Sequence, residues 1–103
     1  STAIIAGVIA AKKTSELIPL CHNIELQNIN IDIKPLNRLF SLKVTCSVKS
    51  RSKTGVEMEA FTAVSVTCLT IYDMCKSLDK SIRIEDIRLL HKTGGVSGEY
   101  VSQ

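Results

Sequence analysis

Ile24-Glu-Leu-Gln-Asn28-Ile-Asn-Ile-Asp-Ile33-Lys34-Pro35-Leu-Asn37-Arg-Leu-Phe40-Ser-Leu-Lys-Val44-Thr-Cys46-Ser-Val48 is the stretch that decides the fold. Ile24 and Leu26 alternate with polar residues. Ile29, Ile31 and Ile33 then alternate on the opposite parity. A strand over residues 24–34 with a bulge near Asn28 satisfies both halves, because one extra residue moves every later side chain to the other face. Pro35-Leu36-Asn37 suits a turn. A second strand follows, with Phe40, Leu42, Val44, Cys46 and Val48 on one face and Ser41, Lys43, Thr45 and Ser47 on the other. That alternation predicts an antiparallel hairpin covered on one side only.

The flanking segments supply the cover. Upstream, Ile4, Ile5, Val8 and Ile9 recur at helical spacing, which predicts a helix over residues 1–17. Pro19 disfavours helical angles at Ile18 and ends it. Downstream, Arg51-Ser52-Lys53 reads as a polar loop. Thr54-Gly55-Val56-Glu57 has the form of a capping box, with Glu57 as its carboxylate. A long helix over residues 56–80 is predicted from there. Its apolar residues lie nearly all round: Val56, Met58, Phe61, Val64, Val66, Leu69, Ile71, Tyr72, Met74 and Leu78. Such a helix is covered on more than one side, and one small sheet covers only one, so a partner subunit is expected against the other. Residues 82–91 read as a third strand whose parity slips near Glu85 and Asp86. Thr93-Gly94-Gly95-Val96-Ser97-Gly98 reads as a glycine-rich loop.

The order is α-β-β-α-β. One further strand upstream would complete β-α-β-β-α-β, the ferredoxin-like α+β arrangement with helices on one face of an antiparallel sheet. At 103 residues the chain is expected to form a single domain. Residues 1–11 carry neither a basic leader nor a cleavage site, and the chain opens inside a helical pattern. It therefore reads as one N-terminally incomplete domain over 1–103. No apolar run reaches the roughly 18–20 residues of a membrane span. The net charge of +3 suits an anionic small molecule better than nucleic acid. Cys21, Cys46, Cys68 and Cys75 contain no Cys-x-x-Cys pair, which favours reduced thiols and a cytoplasmic setting.

Among residues that could carry chemistry, Asp73 and Lys76 stand three apart on the long helix and share a face. An ordinary surface ion pair is the usual reading; in apolar surroundings a charge pair is either costly or useful, and functional sites are where such costs tend to appear. Glu59 precedes Asp73 by fourteen positions. The two point to nearly the same side, about 21 Å apart along the axis at about 1.5 Å per residue. They cannot serve one reacting atom from one subunit. Glu57 is assigned to capping. His22 follows Cys21 after Pro19; a lone histidine is more often structural than catalytic. A Cys-His metal site lacks further ligands at suitable spacing, so no metal is expected. Lys92 with the glycine-rich loop could hold phosphate, or the loop could be a simple turn. A Walker A loop is absent, since no Gly-x-x-x-x-Gly-Lys occurs in the sequence.

Three motifs in order, Leu17-Ile-Pro-Leu-Cys-His22, Lys53-Thr-Gly-Val-Glu-Met-Glu-Ala60 and Thr70-Ile-Tyr-Asp-Met-Cys-Lys76, resemble those of the MoaC family of molybdenum cofactor biosynthesis, and the resemblance covers the whole chain. It implies a ferredoxin-like fold, a homohexamer built as a trimer of dimers, and active sites between subunits. The implied reaction is that of a lyase. It rearranges a cyclised dihydroguanosine triphosphate into cyclic pyranopterin monophosphate and releases pyrophosphate. Carried over by motif, Asp73 matches the catalytic aspartate, Lys76 its paired lysine and Lys92 a further active-site lysine. Leu20, Cys21 and His22 match one substrate-binding segment, Met58 and Glu59 another. No resident cofactor is implied, although Mg²⁺ can accompany the triphosphate. Two departures stand out: the family's upstream Lys-Gly-Asp segment is not in this sequence, and Val96 replaces a lysine of the glycine-rich pattern. The rival readings are a ferredoxin-like module that binds a small molecule without chemistry, and an RNA-binding domain. The latter wants exposed stacking aromatics; the chain has only Phe40, Phe61, Tyr72 and Tyr100.

Overall fold

A computed structural model describes residues 1–36, 41–51, 55–92 and 100–101. In chain order the elements are α1 (Thr2–Lys12), α2 (Thr14–Leu17), β1 (Leu26–Pro35), β2 (Leu42–Ser50), α3 (Glu57–Cys75), β3 (His91–Lys92) and β4 (Tyr100–Val101). The expected Thr54 cap, the Phe40 position and the glycine-rich loop of residues 93–98 lie outside the described residues.

The hairpin forms as its sequence pattern predicts. β1 and β2 pair antiparallel, from Pro35↔Leu42 to Leu26↔Ser50, with a register shift between Leu26 and Asn28. That shift is the bulge demanded by the change of apolar parity. The inner face carries Ile29, Ile31, Val44 and Cys46, which pack with Ala11 and Ala63 of the two long helices. The outer face is a shallow open hollow lined by Asn30, Asp32, Lys34, Lys43, Thr45 and Ser47. The polypeptide is therefore α+β, a two-stranded antiparallel sheet with helices packed on one side.

The N-terminal helix is interrupted rather than continuous to Leu17. Ser1 caps α1 by accepting from the Ile4 amide at 3.4 Å. At Lys13 the backbone leaves helical angles (φ −105°, ψ 12°). The buried Thr14 hydroxyl donates to the carbonyls of Ala10 and Ala11 at 3.2 and 2.9 Å. It adds a further donor to carbonyls at the end of α1 that the Lys13 amide also reaches. α2 then stops at Ile18, which is extended (φ −107°, ψ 111°), as Pro19 requires.

α1 and α3 meet through small residues, not through their large aliphatics. Ala3, Gly7, Ala10 and Ala11 are buried on α1; Glu59, Ala63 and Thr67 are buried on α3. A Cβ on Gly7 would strike Thr67 Oγ1 and lie 2.6 Å from Ile31 Cδ1, so glycine is needed for this close approach. The Thr67 hydroxyl donates to the Ala63 carbonyl at 2.8 Å, which satisfies it locally. Ile5, Ile9, Leu69 and Met74 remain exposed.

Two expectations need correction. α3 ends at Cys75, not Lys80. The Leu78 and Asp79 amides both turn back to the Cys75 carbonyl, and the Asp79 carboxylate accepts from the amide and hydroxyl of Ser81 at 2.9 and 2.6 Å. A side chain that satisfies nearby backbone competes with the helix. The strand expected over residues 82–91 is absent except for His91–Lys92, which pairs with Tyr100–Val101. A strand needs a hydrogen-bonded neighbour, and among the described residues none lies beside residues 82–90. Asp86 has φ +60°, which breaks the extended run where the parity slips.

Candidate active site

The candidate residues fall into two groups at opposite ends of α3. At its N-terminal end, Glu59 occupies the first turn and is only 3% exposed. The Cys21 thiol donates to Glu59 Oε2 at 3.6 Å. Cys21 stands in the turn after Pro19, where its amide donates to the Ile18 carbonyl at 3.1 Å. Burial pushes the Cys21 thiol up from its ordinary value. The charge of Glu59, its hydrogen bond and the charge of Glu57 push in the same direction. Cys21 is thus a neutral hydrogen-bond donor, not a thiolate nucleophile. Leu20, His22 and Met58 beside it are exposed.

Lys92 reaches the same end of the helix from β3. Its Nζ lies 3.4 Å from Glu57 Oε1. Glu57 is the first helical residue, after Val56 as N-cap, and no side chain caps that N-cap. Glu57 forms an ion pair with Lys92; Thr54, its expected capping-box partner, lies outside the described residues. Gly55 closes the back of this pair. The structure thus gathers Cys21, Glu57, Glu59 and Lys92 at one end of α3, with Leu20, His22 and Met58 open to solvent around them.

At the far end, Lys76 Nζ meets Asp73 Oδ1 at 2.9 Å, with the side chains 53% and 73% exposed. The hydrogen bond and charge of Asp73 hold the Lys76 ammonium above its ordinary value. The pair can present a carboxylate acceptor beside an ammonium donor to a bound molecule. The fourteen positions between Glu59 and Asp73 span about 21 Å of helix. One chain does not bring its two groups together.

Sequence reasoning missed the contact of Glu57 with Lys92 and the closeness of Gly55 to that pair. Glu57 was explained locally, and its partner lies 35 positions away. The signal was present in the segment Lys53-Thr-Gly-Val-Glu-Met-Glu-Ala60, which holds both residues next to Met58 and Glu59. Among the described residues no group of three or more His, Cys, Asp or Glu could hold a metal ion. No helix among them is long and apolar enough to cross a membrane.

An α+β domain with ionisable side chains collected at both ends of one central helix is the class defined by this fold and site. Residues 1–95 match the MoaC family. The cyclic pyranopterin monophosphate synthase of Clostridium botulinum is 54% identical over 99 residues, covering 96% of this chain and 62% of the relative. The synthase of Nostoc sp. is 53% identical over 100 residues, covering 97% of this chain and 60% of the relative. That of Helicobacter pylori strain G27 is 56% identical over 99 residues, covering 96% and 63%. The chain belongs to the MoaC family. It spans about three-fifths of the length of these curated relatives.

Proposed function

We propose that the protein containing this chain is a cyclic pyranopterin monophosphate synthase, a lyase of molybdenum cofactor biosynthesis. It converts 3′,8-cyclo-7,8-dihydro-GTP into cyclic pyranopterin monophosphate and releases pyrophosphate. The observation that carries the proposal is the 53–56% identity to synthases over nearly the whole chain.

Asp73 and Lys76 are the acid/base pair. A carboxylate accepts a proton from the substrate while the adjacent ammonium donates one during ring opening and rearrangement. Lys92 and the exposed His22 neutralise charge as pyrophosphate leaves. Leu20, Cys21, His22, Met58 and Glu59 hold the substrate. Glu59 offers a fixed acceptor to N–H groups of its base, held in place by the Cys21 thiol. No resident cofactor is needed for this chemistry; Mg²⁺ can arrive with the triphosphate as part of the substrate.

The separation of the two groups along α3 supports a site assembled between chains. In a homohexamer built as a trimer of dimers, Asp73–Lys76 of one subunit would face the Glu59–Lys92 end of another. The exposed Ile5, Ile9, Leu69 and Met74 offer apolar surface for such contacts. The domain is single and ferredoxin-like. Its sheet would be completed by a strand beyond those described, beside the unpaired residues 82–90. Its setting is the cytoplasm, where thiols such as Cys21 stay reduced. Incubation of the full-length protein with the cyclised triphosphate tests the proposal. Pyrophosphate and cyclic pyranopterin monophosphate should appear in equal amounts; binding without either product would leave a module without chemistry.

A further inference from the structure

We propose that Glu57 is a positioning residue that fixes the ammonium of Lys92, and that position 55 is glycine because this pair fills the space a side chain would take. The proposal rests on the reading above that places Lys92 among the active residues.

Three observations carry it. First, the Lys92 side chain is 15% exposed and Glu57 32%, so little water remains to orient the ammonium. A shielded charge takes its position from its counter-charge. β3–β4 pairing holds the Lys92 backbone, and the start of α3, where amide dipoles favour a carboxylate, holds Glu57. Only the flexible lysine stem between them is left to fix, and the 3.4 Å contact fixes it.

Second, a Cβ on Gly55 would lie 2.7 Å from Glu57 Oε2 and 2.8 Å from Lys92 Cε. A side chain there would displace the flexible ends of both members of the pair at once. Third, Glu57 Oε2 is buried and has no hydrogen-bond partner among the described residues. A buried unsatisfied acceptor costs free energy, and such costs gather at functional sites.

The test uses the full-length protein, with turnover of the cyclised triphosphate followed by pyrophosphate release. Glu57→Gln keeps the side-chain shape and removes the charge. It should lower kcat about tenfold or more and leave KM within about twofold, as expected when only the active geometry is lost. Glu57→Asp, which restores the charge, should recover part of the rate. Lys92→Ala should fall at least as far, and adding Glu57→Gln to it should lower the rate no further. A Glu57→Gln protein with normal kcat, or one whose full loss is repeated in the Lys92→Ala background, would show that Glu57 does not act through Lys92. Normal turnover in Lys92→Ala would instead remove Lys92 from the active residues, and the positioning role with it. Should the Glu57 variants fail to fold, Gly55→Ala decides. It should lower kcat in the natural background and not in Lys92→Ala, and a folded Gly55→Ala protein with normal kcat overturns the proposal.

Discussion

The Cys21 thiol donates to the buried Glu59 carboxylate at 3.6 Å, joining two positions 38 residues apart. This contact ties the loop after α2 to the first turn of α3 and brings two sequence motifs into one grouping. It also sets the chemistry of Cys21. Thiols react as thiolates, and burial, followed by the nearby Glu59 and Glu57 carboxylates, disfavours the thiolate.

Alkylation should therefore show a displaced pH dependence. A raised thiol value means a smaller thiolate fraction at any given pH, so the curve of Cys21 modification by iodoacetamide moves to higher pH than that of the unfolded chain. Glu59→Gln removes the charge and the charged acceptor but leaves the burial. The curve should return part of the way to lower pH. Cys46, pushed up by burial to about 11, should react more slowly than Cys21. Peptide-resolved mass spectrometry reads all three; an unmoved curve in Glu59→Gln would contradict the coupling.

Gly7→Ala sets two effects against each other. Alanine gains about 1 kcal/mol of helix propensity over glycine. Overpacking a closed core costs about 1–3 kcal/mol, and here the added methyl meets Thr67 Oγ1, Ile31 Cδ1 and the Ala63 carbonyl oxygen. The Ala63 carbonyl is backbone and cannot step aside, so the clash should win. The urea midpoint should fall, by the equivalent of up to about 2 kcal/mol once propensity is subtracted. A midpoint that holds or rises would mean that α1 and α3 do not approach this closely.

Much of this was legible in the sequence. The parity change between Leu26 and Ile29 placed the bulge, and Pro19 placed the end of α2, because both are local rules of backbone geometry. Three features were not legible. Nearly every side of α3 carries an apolar residue, so periodicity could not reveal that Glu59, Ala63 and Thr67 form its buried stripe. The Asp79 side chain competes with the helix only once its contacts to Ser81 form, and a run through Lys80 looks continuous without them. Lys92 and Glu57 pair across 35 residues, a tertiary contact that no local pattern encodes. The motifs placed Asp73, Lys76 and Glu59 on one helix. Their 21 Å spacing, estimated at about 1.5 Å per residue, already argued that the two groups cannot serve one reacting atom from one chain.

Assembly should depend on the exposed apolar side chains. Leu69 is 57% exposed and stands eleven positions after Met58, which places both on nearly the same side of α3. Leu69→Lys puts a charge into any contact made there, where an unpaired buried charge is strongly disfavoured. Sedimentation should show a smaller assembly with helix content unchanged by circular dichroism. Turnover should fall with it, since each chain carries the two groups apart. An assembly of unchanged size would place the subunit contact elsewhere.

The most direct test is turnover by Asp73→Asn in the full-length protein, with pyrophosphate and cyclic pyranopterin monophosphate measured together. Asp73 and Lys76 form an exposed pair at 2.9 Å, and exposed pairs of this kind contribute little to stability. The variant should keep its fold and thermal midpoint, bind the cyclised triphosphate, and yield neither product. Formation of both products at the natural rate would contradict the assignment of Asp73 and Lys76 as the acid/base pair.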